Sequence, residues 1–352
     1  MIRRPPRSTL SSSSAASDVY KRQTTYNSWR SQTAALPHWV YTGEEYSYDR
    51  ENEFALPALF VKYTPFPWLT LRYASTKTLT RPNYSSIIPL YEWSGVGNSV
   101  DYRTPDLVPG VSDNIDYNIS VNNNYLGFFS IGFFEKSIAD LIFSGGRRVI
   151  IDPDDFGLPA GTKNGLIQNY TSNNPFPVSL KGMELDWQTR FWYLPGMLSG
   201  FVLNANYTVI ESEVTYPRTV IDSKIDWSTF PPVVTKSNID TSYVDRLIDQ
   251  PNQIMNVSIG YDYKGFSGRL SMLHKSNIFM STNFWPELRV NTDDYTRWDL
   301  SAKQELPIKG LSVFLNVNNI TETVDVNRYK YGSLNLEQHY GRTADLGFKY
   351  SF

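Results

Sequence analysis

The side chains able to do chemistry in this 352-residue chain are few and scattered. Histidine occurs three times, at His38, His274 and His339, and a hydrolase would need one of them beside a nucleophile. His274 lies on a predicted strand where a serine can oppose it, but a chain rich in serine offers that pairing by chance. No catalytic residue is assigned. Asp152, Asp154 and Asp155 cluster in one connection, with Asp113 and Asp116 elsewhere. Clustered carboxylates can hold calcium, yet this spacing matches no calcium loop and reads as a solvated acidic segment. No metal and no cofactor are expected. Tyr91, Trp93, Trp227, Trp285, Tyr329 and Tyr331 fall in long connections, where aromatic groups either grip a ligand or pack the loops. Spacing alone assigns them no substrate site. Arg72, Asp186, Arg190 and Asp262 share the polar side of predicted strands, where they would pair with one another or with a domain enclosed by those strands.

These groups are positioned by strands, and the last twelve residues, Gly341 to Phe352, show the pattern most clearly. Ala344, Leu346, Phe348, Tyr350 and Phe352 alternate with Thr343, Asp345, Gly347, Lys349 and Ser351. Period-two alternation is the signature of a strand with one apolar and one polar face. A soluble sandwich would bury the apolar face against a second sheet, whereas a membrane barrel would turn it to lipid. The alternation recurs at 115–121, 183–187, 255–263 and, with Phe314 on the other face, 311–317. It predicts eleven strands, near 54–64, 67–79, 114–122, 126–143, 180–194, 198–213, 252–264, 266–280, 293–306, 311–321 and 341–352. Helical periodicity is not found.

The connections separate barrel from sandwich. Short turns at 64–67, 122–124, 194–197, 264–265 and 306–310 alternate strictly with long segments at 80–113, 144–179, 214–251, 281–292 and 322–340. An antiparallel outer-membrane barrel keeps short turns on its periplasmic side and long loops outside. A sandwich has no reason to put every long loop at one end. The predicted fold is therefore all-β, an antiparallel transmembrane barrel, with a soluble all-β binding module as the rival.

Composition agrees. Aromatics make up 15% of the chain, with 24 Tyr, 19 Phe and 9 Trp, which suits aromatic girdles at two membrane interfaces. Lys plus Arg is 33 against 35 Asp plus Glu, so no basic footprint for nucleic acid exists. Cysteine is absent, in keeping with passage through an oxidising compartment. No run approaches the ~18 apolar residues of a membrane helix. Residues 1–23, MIRRPPRSTLSSSSAASDVYKRQ, differ from all that follows: Ser-rich, basic and without periodicity. They lack the apolar run of a secretory signal and look like a translated sequencing adapter. They are expected to be non-native and disordered, leaving 24–352 as the working sequence.

Several segments of that sequence resemble the C-terminal barrel of TonB-dependent outer-membrane receptors. LPALFVKYTPFPWLTLRYASTKTLTRPNYSSIIP (Leu56 to Pro89) resembles the family's hairpin leading into a "TLTRP" loop. PDLVPGVSDNIDYNISV (Pro105 to Val121) resembles its "NP-x-L-x-P-x-x-S-x-N-x-D" segment, with Thr104 where the family has Asn and Gly110 where it often has an acid. GMELDWQTRFWYLPGMLSGFVLNANYTVIESE (Gly182 to Glu213) resembles its "G-x-E-L-x-x-x-x-x-x-x-L-P" hairpin. LSVFLNVNNITE (Leu311 to Glu322) resembles its penultimate strand and GRTADLGFKYSF its closing strand.

The resemblance implies active import across the outer membrane of a ligand too large for porins, such as a siderophore, cobalamin or glycan. It implies outer-membrane lipid, the energy-transducing TonB protein, the barrel-assembly machinery and a small-molecule or oligomeric ligand as partners. It also implies that Phe348, Tyr350 and Phe352 form a membrane-insertion signal, and that no enzyme activity is present. A 22-stranded barrel is the size that holds a plug. Eleven strands in 299 residues would then be half of it, with Trp39 and Tyr41 the remnant of a twelfth and the plug not included. A smaller complete barrel, a passive channel or an outer-membrane enzyme, is the alternative within the same fold class.

Overall fold

The period-two segments fold as strands that pair with their neighbours along the chain. The computed structural model describes residues 14–33, 36–88, 91–94, 99–102, 104–151, 167–283 and 285–351. In chain order the strands are β1 (Ser14–Thr33), β2 (Leu36–Leu56), β3 (Ala58–Phe66), β4 (Leu69–Thr80), β5 (Tyr91–Ser94), β6 (Ser99–Tyr102), β7 (Gly110–Asn123) and β8 (Gly127–Ala139). There follow β9 (Ile142–Val149), β10 (Ile167–Asn173), β11 (Val178–Arg190), β12 (Phe201–Asp226), β13 (Val233–Asp245), β14 (Gln253–Tyr263) and β15 (Phe266–Lys275). The last are β16 (Phe279–Ser281), β17 (Val290–Thr292), β18 (Tyr295–Glu305), β19 (Leu311–Asn318), β20 (Asp325–Tyr329), β21 (Leu334–Gln338) and β22 (Thr343–Tyr350).

One sheet organises the molecule, in the order β3-β4-β7-β8-β11-β12-β14-β15-β18-β19-β22, each strand antiparallel to the next. Its eleven strands answer the eleven expected ones in order. The differences lie at the long-loop end. The strand expected over 126–143 breaks at Asp140, whose φ of 55° ends β8 before β9 begins. The strand expected over 198–213 continues to Asp226, because β13 takes over as its partner from Val214 onward. Because the strand count is odd, the edge strands β3 and β22 run in the same direction. Antiparallel closure therefore takes an odd number of further strands between them. Trp39 and Tyr41 lie on β2, paired with β1 across from Arg30 and Ser28. Ser14 to Gln23, expected to be disordered, form the first half of β1 opposite Leu56 to Tyr48. Backbone pairing asks little of side chains, so a segment without periodicity can extend a ladder that Thr24–Tyr26 and Glu45–Ser47 continue.

The antiparallel register keeps the two faces in phase across strands. Thr70, Ser120, Ser130, Asp186, Asn206, Asn256, Leu273 and Arg297 form one row over eight strands, almost entirely polar. One residue along, Leu69, Val121, Phe129, Trp187, Ala205, Val257, Met272 and Trp298 form the next, entirely apolar. Phe314 sits on the polar face as expected, and the glycine opposite explains it: a Cβ on Gly347 would come within 2.6 Å of the Phe314 ring.

The apolar face is uncovered. Val61, Tyr117, Ile119, Phe133, Ile259, Leu270, Leu346 and Phe348 are 39–73% exposed, and among the described residues no second sheet packs on them. Hiding one such side chain is worth about 1.5–3 kcal/mol, so a water-soluble sandwich would not leave a whole face bare. Aromatic rings gather at the short-turn end. Phe66 stacks on Trp68, Tyr125 lies against Trp192 and Tyr193, and Tyr261 meets Phe201 and Phe266. Trp187 and Trp192 donate their ring N–H groups to the Leu126 and Asn124 carbonyls of the β7–β8 turn. The Lys264-Gly265 turn has both φ angles positive, the two-residue hairpin geometry that matches strand twist.

A buried core sits at the other end, where long connections leave the sheet. Phe143, Val178, Val214, Tyr216 and Phe279 pack there from four strands, with Tyr243, Leu247 and Ile248 around them. The Tyr216 hydroxyl donates to the Arg246 carbonyl and accepts from the Ile248 N–H, both at 3.0 Å. The Tyr243 ring stacks on Tyr216 and carries the Arg289 guanidinium 3.4 Å from its centroid, yet its own hydroxyl has no hydrogen-bond partner. Burial raises both phenols, Tyr243 to about 12 despite the opposing Arg289 charge, and Tyr216 further.

Two outcomes follow for this cluster. Both folded phenols titrate above the ordinary 10.0, so their contribution to stability is complete below pH 10 and falls as pH rises through 12. Phenolate absorbance during base titration should show two tyrosines lagging the rest and loosening the loops as they ionise. Tyr216→Phe should cost about 1–3 kcal/mol by orphaning two backbone groups, and Tyr243→Phe close to nothing. Hydrogen exchange at the Ile248 amide measures both.

Candidate functional site

The long connections do not hang loose above the wall. With the β1–β2 hairpin that precedes the wall they form a six-stranded sheet, β2-β1-β5-β6-β10-β9, and by themselves a four-stranded one, β16-β17-β20-β21. In the first, Asp101 on β6, Asn169 on β10 and Arg147 on β9 share one register row. Asn169 Nδ2 donates to Asp101 Oδ1 at 2.6 Å, and Arg147 Nε donates to Asn169 Oδ1 at 2.7 Å. This carboxylate–carboxamide–guanidinium row lines a cleft of about 480 Å³ with Ser144, Tyr170 and Thr282. Gly146 is small because the Tyr170 ring occupies the place of a side chain, and the Arg148 guanidinium lies 5.2 Å from that ring. Planar groups of both charge signs beside a tyrosine suit a hydrogen-bonding ligand with a ring or flat edge. They do not compose a nucleophile and base.

The polar face of the wall forms a second polar surface, connected by ion pairs. Asp262 takes a two-pronged pair from Arg269, at 2.8 and 2.7 Å, and the guanidinium lies over Gly260. Arg297 pairs with Asp299 at 3.0 Å. A hollow between these strands is lined by Asp186, Asn204, Asn206, Asn256 and Ser258.

The expected residues are only partly brought together. Arg72, Asp186, Arg190 and Asp262 all stand on the polar face, but Asp262 takes Arg269 as its ion-pair partner and Asp186 accepts from Gln188. The loop aromatics separate into three places. Tyr91 and Trp93 lie on β5, Trp227 at the turn of the β12–β13 hairpin, and Trp285, Tyr329 and Tyr331 around β17 and β20. Asp152, Asp154 and Asp155 lie outside the described residues, as does Phe352. Asp113 is on the apolar-side surface, paired with Lys77 at 3.2 Å, and Asp116 points to the other face. His274 meets the Thr296 hydroxyl at 2.8 Å rather than a serine, and His339 meets Glu337 at 2.9 Å. Arg269 and the Asp101–Asn169–Arg147 row escaped the sequence reading. The run Gly145-Gly146-Arg147-Arg148, two glycines before two cations, was the available signal for the latter.

Comparisons with known proteins agree on one architecture. The family model described as TonB dependent receptor-like, beta-barrel matches residues 18–320. A search of curated proteins gives no match. Among solved structures, the ferric enterobactin receptor of Pseudomonas aeruginosa (a G324V mutant) superposes with a TM-score of 0.55 at 14% identity, covering 88% of this chain and 42% of that one. The siderophore receptor PiuA of Acinetobacter baumannii gives 0.55 at 14%, covering 88% and 38%. The hemophore receptor HasR of Serratia marcescens, solved with its hemophore and heme, gives 0.55 at 15%, covering 97% and 47%. The chain thus spans less than half the length of each, and at these identities the likeness speaks for the fold. An uncovered apolar face, a polar face opposite, and long connections at one end are the features of a transmembrane barrel wall. With the family model matching most of its length, the chain belongs to the TonB-dependent receptors, as part of their β-barrel.

Proposed function

We propose that this chain is barrel wall of an outer-membrane importer that takes up a ligand too large for passive pores, using energy delivered by TonB. The observation that carries the reading is the two-faced wall with all its long connections at one end. The apolar side belongs in lipid, the polar side lines an aqueous lumen, and the loop end faces the medium. In this reading a plug fills the lumen against Arg72, Asp186 and Arg190, and the Asp101–Asn169–Arg147 cleft makes first contact with ligand. The solved relatives are named for ferric enterobactin, siderophore and hemophore-borne heme, which supports uptake of iron-bearing or similarly bulky cargo. Residues 1–23 have no part in this function, and 24–352 carry the wall. Accumulation of such a ligand in cells carrying the complete receptor, abolished when TonB is deleted, is the direct test. TonB-independent entry would favour a passive channel.

The faces should respond oppositely to charge. In the receptor refolded into lipid vesicles, Val257→Arg or Ile259→Arg places a cation among acyl chains and should cost about 2–4 kcal/mol. Asn256→Arg or Ser258→Arg should cost less, since the lumen is hydrated. Urea unfolding reads both, and equal losses would reverse the assignment of faces.

Phe348 and Tyr350 alternate on the apolar side of β22, 71% and 53% exposed. With Phe352 they are proposed as the insertion signal presented to the barrel-assembly machinery. Deleting Phe352 should lower the amount of receptor inserted in cells while changing its stability after refolding by no more than about 0.5 kcal/mol. Unchanged surface levels would leave β22 an ordinary strand.

A further inference from the structure

A second cleft, of about 430 Å³, lies between the β9–β10 pair and the β12–β13 hairpin, and Gly146 and Tyr170 border it as they border the first. Its apolar surface comes from Tyr170, Phe176 and Pro217. The Tyr170 ring takes the place of a Gly146 side chain, and Phe176 is 39% exposed. Phe176 is held through its backbone: its N–H donates to Asn174 Oδ1 at 3.0 Å, and Asn174 Nδ2 donates to the Thr215 carbonyl at 2.9 Å. Asn174 is fully buried, so the turn carrying the ring is fixed to β12. The polar surface comes from Thr219, Asp240 and Ser242. Thr219 and Asp240 are register partners, and the Thr219 hydroxyl donates to Asp240 Oδ1 at 2.9 Å. Arg218 also borders the cleft, but it alternates to the opposite face of the hairpin, where its charge acts on the Tyr243 phenol.

A carboxylate accepts hydrogen bonds and donates none, so a ligand at Asp240 must bring donors. Thr219 engages Oδ1, which leaves Oδ2 as the oxygen offered to it. With the Arg218 charge on the far face, an anionic group would meet this carboxylate unopposed. The Ser242 hydroxyl both donates and accepts, and Phe176, Tyr170 and Pro217 ask for an apolar surface on the same ligand. An alkylammonium brings donors alone, and an iron-bound catechol brings negative charge. A saccharide ring brings hydroxyls around its rim and a C–H face that can lie on an aromatic ring. We propose that this cleft is a binding site for one uncharged saccharide ring, with its hydroxyls on Asp240 and Ser242 and its C–H face on Phe176. Thr219 holds the carboxylate in position. Both a free oligosaccharide and the sugar head of an outer-leaflet glycolipid carry this chemistry.

Only the fate of the bound sugar, not the site, rests on the importer reading. The complete receptor in detergent is titrated by calorimetry with maltohexaose, mannohexaose and chitohexaose as neutral chains. Hexagalacturonate serves as the anionic chain and the glucosamine hexamer as the cationic one. At least one neutral chain should bind, on the order of tenfold more tightly than either charged chain. Phe176→Ala should weaken it by a similar factor. Asp240→Asn, which keeps an acceptor for Thr219 and removes the charge, should narrow the gap to hexagalacturonate. Retention of the heat-stable folded form in both variants keeps loss of binding distinct from loss of fold. Lipopolysaccharide is titrated in parallel. Binding of a free chain identifies a soluble source, and binding of lipopolysaccharide alone, lost in Phe176→Ala, identifies the glycolipid; either upholds the site. No neutral chain and no lipopolysaccharide bound, a charged chain bound more tightly, or binding untouched by both variants would overturn it. Entry of a bound chain into cells without TonB would overturn the importer reading and leave the site standing.

Discussion

The structure depends on one constraint: in hydrocarbon no water is present to satisfy a peptide group, so each backbone N–H and C=O must find a partner within the protein. Antiparallel neighbours along the chain meet it with local pairings, and ten consecutive hydrogen-bonded strand pairs make up the wall. Once the backbone is paired in register, the side-chain period of two does the rest. A single row places eight polar or apolar residues together across eight strands, with no further specification. Two faces follow, and with them two solvents.

The same constraint explains why complexity collects where the strands leave the wall. Beyond Val214 the backbone of β12 is no longer paired to its wall neighbours and turns to β13 instead. There, water returns and an ordinary core becomes possible: Phe143, Val178, Val214, Tyr216 and Phe279 form a buried cluster. Burial also brings polar groups into close quarters, so Arg289, only 5% exposed, is held by Asp245 and by the face of Tyr243. The cluster ties three long connections into one base. That fixes the height and spacing of the loops at this end.

Glycine has a distinct part in the wall. Gly347 and Gly182 lie opposite Phe314 and Phe134 on the polar face, and Gly260 lies beneath Arg269. Each missing side chain is filled by a large neighbour. An aromatic or a guanidinium lying flat on the sheet covers backbone that would otherwise face solvent, and the Arg269–Asp262 pair gains its geometry this way.

What the sequence determined by itself is what depends on local periodicity: the eleven wall strands, which face each residue takes, and the alternation of short and long connections. Even the exception at Phe314 was legible there. The chain pattern cannot say which distant segments meet. Strands β5, β6, β9, β10, β16, β17, β20 and β21 are only three to eight residues long, too short for a period of two to single them out. Their pairing comes from contacts distant in sequence, as Asn169 with Asp101 or Asn238 with Val149. The partner of Asp262 was open for the same reason, since a shared polar face does not choose between Arg190 and Arg269, and the structure pairs it with Arg269. Only the tertiary structure put Asp101, Asn169 and Arg147 in one row, and Thr219 opposite Asp240 on a cleft shared with Phe176. Those arrangements come from lateral register between strands, which is fixed when the sheet closes up rather than by any one stretch of residues.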